Sequence, residues 1–288
     1  MTNNNRSKFM KISTNLLDMI DYSKPYEMQL ALTLLYKGSG MHTTWGDTFI
    51  ETTPSLLIKM FGNYKDINDS NNRRQQQNVI SALTNMRDKG LISFEGKPKF
   101  KDEIVIDTKP LIELSQQGNY VELLIEDFYA IMQTDNTIVV NNDTIEIDHQ
   151  LESHLLKAFI TPKARWNFKT IDKLAEVKDF NYAINSDTDV QQAKGVFCSD
   201  SLDYIRTHKH YELDEIDNWC DDDYLMGYLK KLQDLGCLKI KSHKMKAQDG
   251  LWKTHNFYYE PTISFECIDA MVRQYARRKN YAIKNNED

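Results

Sequence analysis

The chain has 288 residues, of which 41% are hydrophobic and 27% are charged, and its formal net charge at pH 7 is -6. This length is sufficient for two domains with hydrophobic cores, and the composition, which is ordinary for globular proteins, excludes a largely disordered chain. The negative net charge argues against a protein that coats DNA without regard to sequence, because such binding depends on positive charge. Local basic surfaces remain compatible with DNA binding.

The sequence carries no signal for a membrane or for secretion. No apolar run approaches the roughly 18 residues of a membrane span, and the polar start of the chain lacks the apolar segment of a signal peptide. The four cysteines form no CxxC pairs, which is typical of free thiols in a reducing compartment. We therefore expect a cytoplasmic protein without membrane contact.

The first elements predicted along the chain are a helix, a strand and a second helix. Residues 25–36 place apolar side chains on one helical face, and residues 48–50 suit a short strand. A second helix begins near Pro54, a favourable early position for proline, and ends before Gly62. The polar run 63–72 then predicts a turn before the next helix.

A third helix and a basic hairpin complete this set. Val79, Leu83 and Met86 recur at helical spacing, and Gly90 suits the left-handed residue that ends a helix. Residues 91–106 predict a hairpin with lysines at its tip. The order helix, strand, helix, turn, helix, hairpin is that of a winged helix, a variant of the helix-turn-helix.

The third helix and its hairpin recur 146 residues later. The aligned positions are Val79 with Leu225, Leu83 with Leu229, Met86 with Leu232, Gly90 with Gly236, and Ile92 with Leu238. Helices at 151–160 and 170–178 are expected to open this second copy, and a basic wing follows at 239–246. We interpret 181–211 as an insertion without counterpart in the first copy; an alternative parsing places a recognition helix within it.

The sequence thus predicts an α+β, predominantly helical fold with two winged-helix domains, their β-wings, and a small structured connector. The connector contains a hairpin at 137–147 with an Asn-Asp turn. The expected divisions are an N-terminal winged-helix domain at 1–118, the connector at 119–150, a second winged-helix domain at 151–264, and a basic C-terminal helix and tail at 265–288.

The candidate DNA-binding residues belong to the third helix of the first copy and to the two wings. Arginine and glutamine at the start of such a helix can bond to guanine and adenine edges in the major groove, and wing lysines can neutralise phosphates. The candidates are Arg73, Arg74, Gln75, Gln76, Gln77, Ser81, Lys97, Lys99, Lys101, Lys239, Lys241, Lys244, Lys246 and Lys253. Asp221, Asp222 and Asp223 replace the glutamines in the second copy. We therefore expect the first domain to read bases, while the second contacts either the DNA backbone or a protein.

Enzymatic readings of the sequence are weaker. Cys198, His208, His210 and Cys220 lack the spacing of a known zinc finger, and three consecutive aspartates point in different directions along a helix. The tyrosines near 204–228 lack the histidine cluster that a nicking enzyme requires, and no phosphate-binding glycine loop occurs. We expect no catalytic residues, no metal and no cofactor.

The aromatic run 252–259 is a candidate for stacking on single-stranded bases, with core packing expected for half of it.

Residues 26–110, together with 151–262, resemble the paired winged-helix domains of plasmid and phage replication initiators of low-GC Gram-positive bacteria. The resemblance implies sequence-specific binding to double-stranded DNA at origin repeats, self-association, and recruitment of a host replication protein. Winged-helix transcription regulators carry the same module, so transcription regulation is an alternative. A third candidate function is a non-enzymatic adaptor that binds a host protein through the second domain and the acidic segment 212–223.

Overall fold

The computed structural model describes most of the chain, and its helices and small antiparallel sheets make it a mixed α and β protein. The described residues are 9–39, 48–59, 73–147, 150–169, 197–199, 202–210, 215–246, 250–261, 272–273, 276 and 280–283, with side chains except at 165–169 and 197–199. The helix predicted at 170–178 and most of the basic helix and tail predicted at 265–288 lie outside the described residues. No helix in the described ranges has the length and apolarity to cross a membrane.

The first part of the chain alternates short strands and helices, and the order predicted for residues 25–90 is confirmed where it is described. The elements are β1 (Phe9–Ser13), α1 (Thr14–Met19), α2 (Glu27–Gly38), β2 (Phe49–Thr52), α3 (Pro54–Lys59), α4 (Arg73–Asp88), β3 (Ile104–Asp107), α5 (Lys109–Ser115), β4 (Tyr120–Leu124) and α6 (Ile125–Met132). We call the residues from α2 to β3 the first repeat.

The second part begins with the hairpin predicted in the connector. Its elements are β5 (Thr137–Val140), β6 (Asp143–Glu146), α7 (Leu151–Lys169), β7 (Phe197–Ser199), α8 (Leu202–Thr207), α9 (Asp222–Asp234), β8 (Lys239–Lys246), β9 (Trp252–Tyr259) and β10 (Ala282–Ile283). Helix α7 extends beyond the predicted end at residue 160 and through Pro162, because buried residues on both sides, such as Phe159 and Ala164, hold it in the core. We call the residues from α7 to β9 the second repeat.

Among the described residues, the two repeats have a similar order of elements. The second runs helix, strand, helix, helix, strand, strand, and the first runs helix, strand, helix, helix, strand, with a single bridge at Ser93 in the place of the strand that follows α9. In each repeat the last strand lies between its two partners. In the second repeat the order across the sheet is β7, β9, β8. In the first repeat β3 pairs with β2 on one side, with Phe49 opposite Asp107, and Asp107 also pairs with Ser93. Within 181–211, therefore, β7 and α8 match β2 and α3, which departs from our interpretation of this segment as an insertion without counterpart.

The hairpin expected at 91–106 is much reduced. Only Ser93 pairs with β3, and the following residues form an irregular loop. The loop turns back onto the protein because Phe100 is buried and its carbonyl accepts a hydrogen bond from the Ser55 amide at 3.0 Å. The prediction of a two-stranded first wing is therefore wrong, whereas the second wing is a full hairpin of β8 and β9.

The repeats share one continuous hydrophobic core. Helix α7 contacts α2 and β4 of the first half and α9 of the second. Strand β4, which lies within the expected connector, pairs antiparallel with β1. The connector is therefore part of the sheet structure of the first half, and the predicted division at residue 118 falls just before one of its strands.

The segment 18–22, at the end of α1 and just beyond it, holds the repeats together through three lysines. Lys89 of α4, Lys157 of α7 and Lys209 each donate a hydrogen bond from Nζ to a backbone carbonyl oxygen of this segment, at 2.6, 2.6 and 3.0 Å. The buried carboxylate of Glu27 also accepts from Lys89, at 2.8 Å. Charged donors make strong hydrogen bonds to carbonyl oxygens, so these contacts fix α4 and α7 to a common segment.

Candidate nucleic-acid interface

Helices α4 and α9 end in the same way. The last turn closes with a hydrogen bond from Leu91 N to Met86 O at 2.9 Å, and the equivalent bond from Cys237 N to Leu232 O is also 2.9 Å. The intervening glycines have φ angles of 73° and 76°, in the left-handed region that favours glycine. The predicted helix ends are confirmed, and the residues that follow each helix leave it in the same direction.

One side of α4 is buried, and the opposite side presents the predicted base-reading residues. Val79, Leu83 and Met86 pack into the core, while the exposed positions include Arg74, Gln77 and Ser81. Residues three and four apart lie on the same helical face, so these side chains form one row, and exposed Arg73 lies beside it at the start of the helix. We call this row, with Arg73, the α4 face.

The three glutamines have different surroundings. Gln77 is exposed, whereas Gln75 and Gln76 are half-buried. The Oε1 atom of Gln75 accepts hydrogen bonds from the Tyr26 hydroxyl at 3.2 Å and from Asn78 Nδ2 at 3.3 Å. Gln75 therefore helps to fix the start of α4 on α2, whereas Gln77 is the most exposed of the three.

The loop at 94–103 is tied to α4 by Arg87. The Arg87 guanidinium donates to the Gly96 carbonyl at 2.9 Å and lies 4.9 Å from the centre of the Phe94 ring. The predicted lysines Lys97, Lys99 and Lys101 are all exposed. However, residues 95–103 also contain three acidic residues, so the loop has no net charge. Its lysines can make individual phosphate contacts, but the loop as a whole is not the cationic ribbon that we expected.

The face of α9 that corresponds to the α4 face is covered by the β5–β6 hairpin. By the 146-residue offset, Gly227 corresponds to Ser81. A Cβ atom on Gly227 would lie 3.1 Å from the Val139 carbonyl oxygen and 3.1 Å from Ile138 Cδ1, so the hairpin backbone approaches α9 closely. The turn consists of Asn141 and Asn142 rather than the Asn-Asp pair that we predicted, because Asp143 already pairs with Val140 in the strand. Both turn residues have positive φ angles, as expected for a tight two-residue hairpin turn.

Polar contacts fasten the two ends of this hairpin to α9. Asn141 Nδ2 donates to Asp223 Oδ2 at 2.9 Å, and Lys231 Nζ donates to Asp135 Oδ1 at 2.6 Å. The hydrogen bond from Lys231, followed by those from Thr137, lowers the pKa of Asp135 to about 2. Asp223, Gly227 and Lys231 are four residues apart, so the hairpin follows one face of α9 over two turns. Sequence reasoning missed this contact; glycine in the middle of a helix was its one local signal.

The start of α9 is acidic as predicted, and one of its aspartates is paired. The Arg206 guanidinium of α8 lies 2.8 Å from Asp222 Oδ1, in a salt bridge that the sequence did not indicate. Asp221 precedes the helix and Asp223 contacts the connector hairpin, as described above. Carboxylates stabilise the positive end of the helix dipole and repel phosphates. This helix start is therefore electrostatically unfavourable for contact with phosphates.

The β8–β9 hairpin is the most basic described surface of the second repeat. It carries Lys239, Lys241, Lys244, Lys246 and Lys253, and the two strands contain no acidic residue. Lys244, Lys246 and Lys253 are exposed, whereas Lys239 and Lys241 are half-buried. All five predicted lysines therefore lie on one hairpin, at different depths from its free end.

The residues considered for zinc do not form a metal site in the described part of the chain. His210 Nε2 lies 2.6 Å from Asp18 Oδ1, His208 stacks on the Tyr204 ring at 4.0 Å, and burial raises the pKa of the Cys220 thiol to about 12. Within the described residues, no group of three or more histidine, cysteine or acidic side chains could hold a metal ion. The side chain of Cys198 lies outside the described residues.

Comparison of the chain with family models, with curated proteins and with solved structures found no match.

Proposed function

We propose that the chain binds double-stranded DNA in a sequence-specific manner through the α4 face, and that its two repeats are winged-helix modules. The observation that supports this most is the contrast between equivalent helices. No described residue covers the α4 face, which carries arginine, glutamine and serine, the residue types that bond to base edges. The equivalent face of α9 is covered and lacks such residues.

The size of the major groove explains why the cover matters. The groove is about 12 Å wide and an α-helix with its side chains is about 10–12 Å across, so one helix fills it. A β-layer packed on a helix adds about 10 Å. Helix α9 with the β5–β6 hairpin on it is therefore too thick to enter the groove, whereas α4 is not covered there by any described residue.

The second repeat contributes phosphate contacts through the β8–β9 hairpin in this proposal. Its lysines supply a local positive charge in a chain whose net charge is -6. Phosphate contacts position a protein on DNA and add affinity without sequence preference. The two repeats then divide the work, with base reading by α4 and backbone contact by the hairpin.

We further propose that this DNA is the replication origin of a plasmid, phage or other mobile element. Support comes from the tandem repeat with one base-reading helix and from the resemblance described above. The acidic, partly covered start of α9 favours a second function in the same chain, capture of a host replication protein. The two alternative functions are transcription regulation, in which the α4 face would bind a promoter, and a non-enzymatic adaptor that would bind only a host protein, through the second repeat.

Selection of bound fragments from random duplex DNA with the full chain tests the proposal. We expect a recurring motif, and we expect replacement of Arg73 and Arg74 by alanine to weaken binding to it by about tenfold or more, since a bidentate base contact contributes about 1–3 kcal/mol. Lys109→Ala, on the exposed side of α5, is the matched control and should bind as the parent does. Unchanged binding by the double arginine variant would overturn the assignment of α4.

A replication assay separates origin from promoter. A plasmid that carries the selected motif and the coding sequence should replicate in a suitable host only when α4 is intact. If the motif controls expression and supports no replication, the chain is a transcription regulator.

A further inference from the structure

The β8–β9 hairpin has two different sides. Its strands pair in register from Lys239 opposite Tyr259 to Lys246 opposite Trp252, and successive side chains point to opposite sides. One side contains the buried residues Met245 and Phe257. Strand β10 pairs with the edge of β8 that faces away from β9. The other side is largely exposed over the outer half of the hairpin, and we call it the Trp252 face.

The Trp252 face combines one large aromatic ring with basic and small polar residues. Its members are Ser242, Lys244, Lys246, Trp252, Thr254 and Asn256. The Trp252 side chain is 49% exposed, although the other aromatic residues of the same strand, such as Tyr258, are buried. Packing of the protein core therefore does not account for this tryptophan.

Lysines flank the ring on the neighbouring strand. Lys246 lies directly opposite Trp252, and Lys244 lies diagonally across from it. At the inner end of the face the Ser242 hydroxyl donates to Asn256 Oδ1 at 2.7 Å, which holds the two strands' polar side chains together. The face therefore offers a flat ring with positive charge on one side of it and hydrogen-bonding groups below it.

We propose that the Trp252 face binds single-stranded nucleic acid, with one unpaired base stacked on the indole ring and the adjoining phosphates near Lys244 and Lys246. Aromatic rings beside cations are the means by which proteins bind single strands, because every base has a π-face. A duplex hides these π-faces between its base pairs, so it can use the lysines and not the ring. This proposal extends, and rests on, the phosphate contacts assigned to the hairpin above.

Charge argues against a protein partner for this face. The cores of protein interfaces are enriched in tryptophan but depleted in lysine. Here the tryptophan has a lysine opposite and a lysine diagonal to it, and neither strand has an acidic residue to balance them. Phosphates complement this arrangement, since they supply negative charge next to a stackable ring.

Fluorescence anisotropy with a labelled oligothymidylate of about 20 nucleotides tests the proposal on the full chain. We expect Trp252→Ala to weaken binding by about fivefold or more, the lower end of the loss for one stacked base. Trp252→Phe keeps a stacking ring and should retain most of the affinity, while it removes part of the tryptophan quenching that the oligonucleotide causes. Leu56→Ala, at another exposed apolar position, is the control and should bind as the parent does.

Binding to a duplex of the same length separates base stacking on Trp252 from phosphate contact by the lysines. Trp252→Ala should bind the duplex as the parent does; equal losses for both ligands, or no loss for oligothymidylate, would overturn the assignment of an unpaired base. Replacing Lys244 and Lys246 by alanine should weaken both ligands and lower the salt dependence for the single strand by about 1.4, from about 0.7 per phosphate. If the double lysine variant binds both ligands as the parent does, the assignment of phosphate contacts to Lys244 and Lys246 is wrong, whatever the result for Trp252→Ala. An oligouridylate arm identifies RNA or DNA as the tighter ligand.

Discussion

Lys157 lies almost completely buried between the repeats, and its replacement by methionine gives a sharp prediction. Only 2% of the residue is exposed, its ammonium donates to the Tyr22 carbonyl at 2.6 Å, and the Trp219 ring centre is 5.5 Å away. Burial lowers the pKa of Lys157 to about 8, and the nearby Asp21 and other acidic groups only partly oppose it. The folded state therefore carries a charge that the unfolded state solvates better.

The direction of the pH dependence follows from that pKa. The folded pKa of about 8 lies below the ordinary lysine value of 10.5, so between these two values the unfolded chain binds more protons than the folded one. The free energy of unfolding contributed by Lys157 therefore rises as the pH rises through this window. This difference corresponds to about 3 kcal/mol, which is the cost of the buried charge below pH 8.

The Lys157→Met variant escapes this cost but leaves the Tyr22 carbonyl without its donor, a loss of about 1–3 kcal/mol at every pH. At pH 7 we expect the variant to be as stable as the parent or up to about 2 kcal/mol more stable, from the difference of these two terms. Above pH 10 it should be less stable. Urea unfolding of both proteins from pH 7 to pH 10.5 measures the change.

A variant at an exposed lysine controls for the effect of the other titratable groups on the pH dependence of unfolding. Lys109→Met, at an exposed lysine, is the control, and the result is the difference between the two variants at each pH. A constant difference would mean that Lys157 has the same pKa in both states, and the account of a costly buried charge would then be wrong.

Two further predictions concern glycines. Gly90→Ala and Gly236→Ala should each lower the free energy of unfolding by about 1–2 kcal/mol, as measured by urea unfolding. This is the cost of the left-handed conformation alone, because a Cβ would meet no other atom within 4 Å at either position. Asparagine tolerates this conformation better than alanine, so it should lower the stability less at both positions. Gly227→Leu should destabilise by about 1–3 kcal/mol through overpacking and loosen the β5–β6 hairpin. Faster hydrogen exchange confined to that hairpin is the expected result, and unchanged exchange there would contradict the close contact.

Local patterns predicted the parts of the fold that depend on neighbouring residues. The spacing of Val79, Leu83 and Met86 and the glycines at 90 and 236 identified both helices and their ends, because helical packing and left-handed termini are short-range properties. The exposed row on α4 was predicted for the same reason. Its polar side chains alternate with the buried ones at helical spacing.

Long-range contacts account for what the sequence did not predict. The lysine contacts to segment 18–22 join residues 70 to 191 positions apart, and the β5–β6 hairpin meets α9 across 82 residues at Asn141 and Asp223. No periodicity carries such information. The neutral charge of the 94–103 loop is a different case, since Glu95, Asp102 and Glu103 were visible, and counting only the lysines caused that error.

The division of roles follows from what each repeat lacks. The first repeat has an open helix but a wing loop without net charge, whereas the second has a cationic hairpin but a covered helix. Base contacts specify a sequence and phosphate contacts supply much of the affinity, so neither repeat alone has both. Because Lys89 and Lys157 attach α4 and α7 to the same backbone segment, the shared core holds the two surfaces in a defined relation. In this proposal, specific and tight binding therefore requires both repeats in one chain. Each repeat alone should bind DNA with lower affinity than the joined pair.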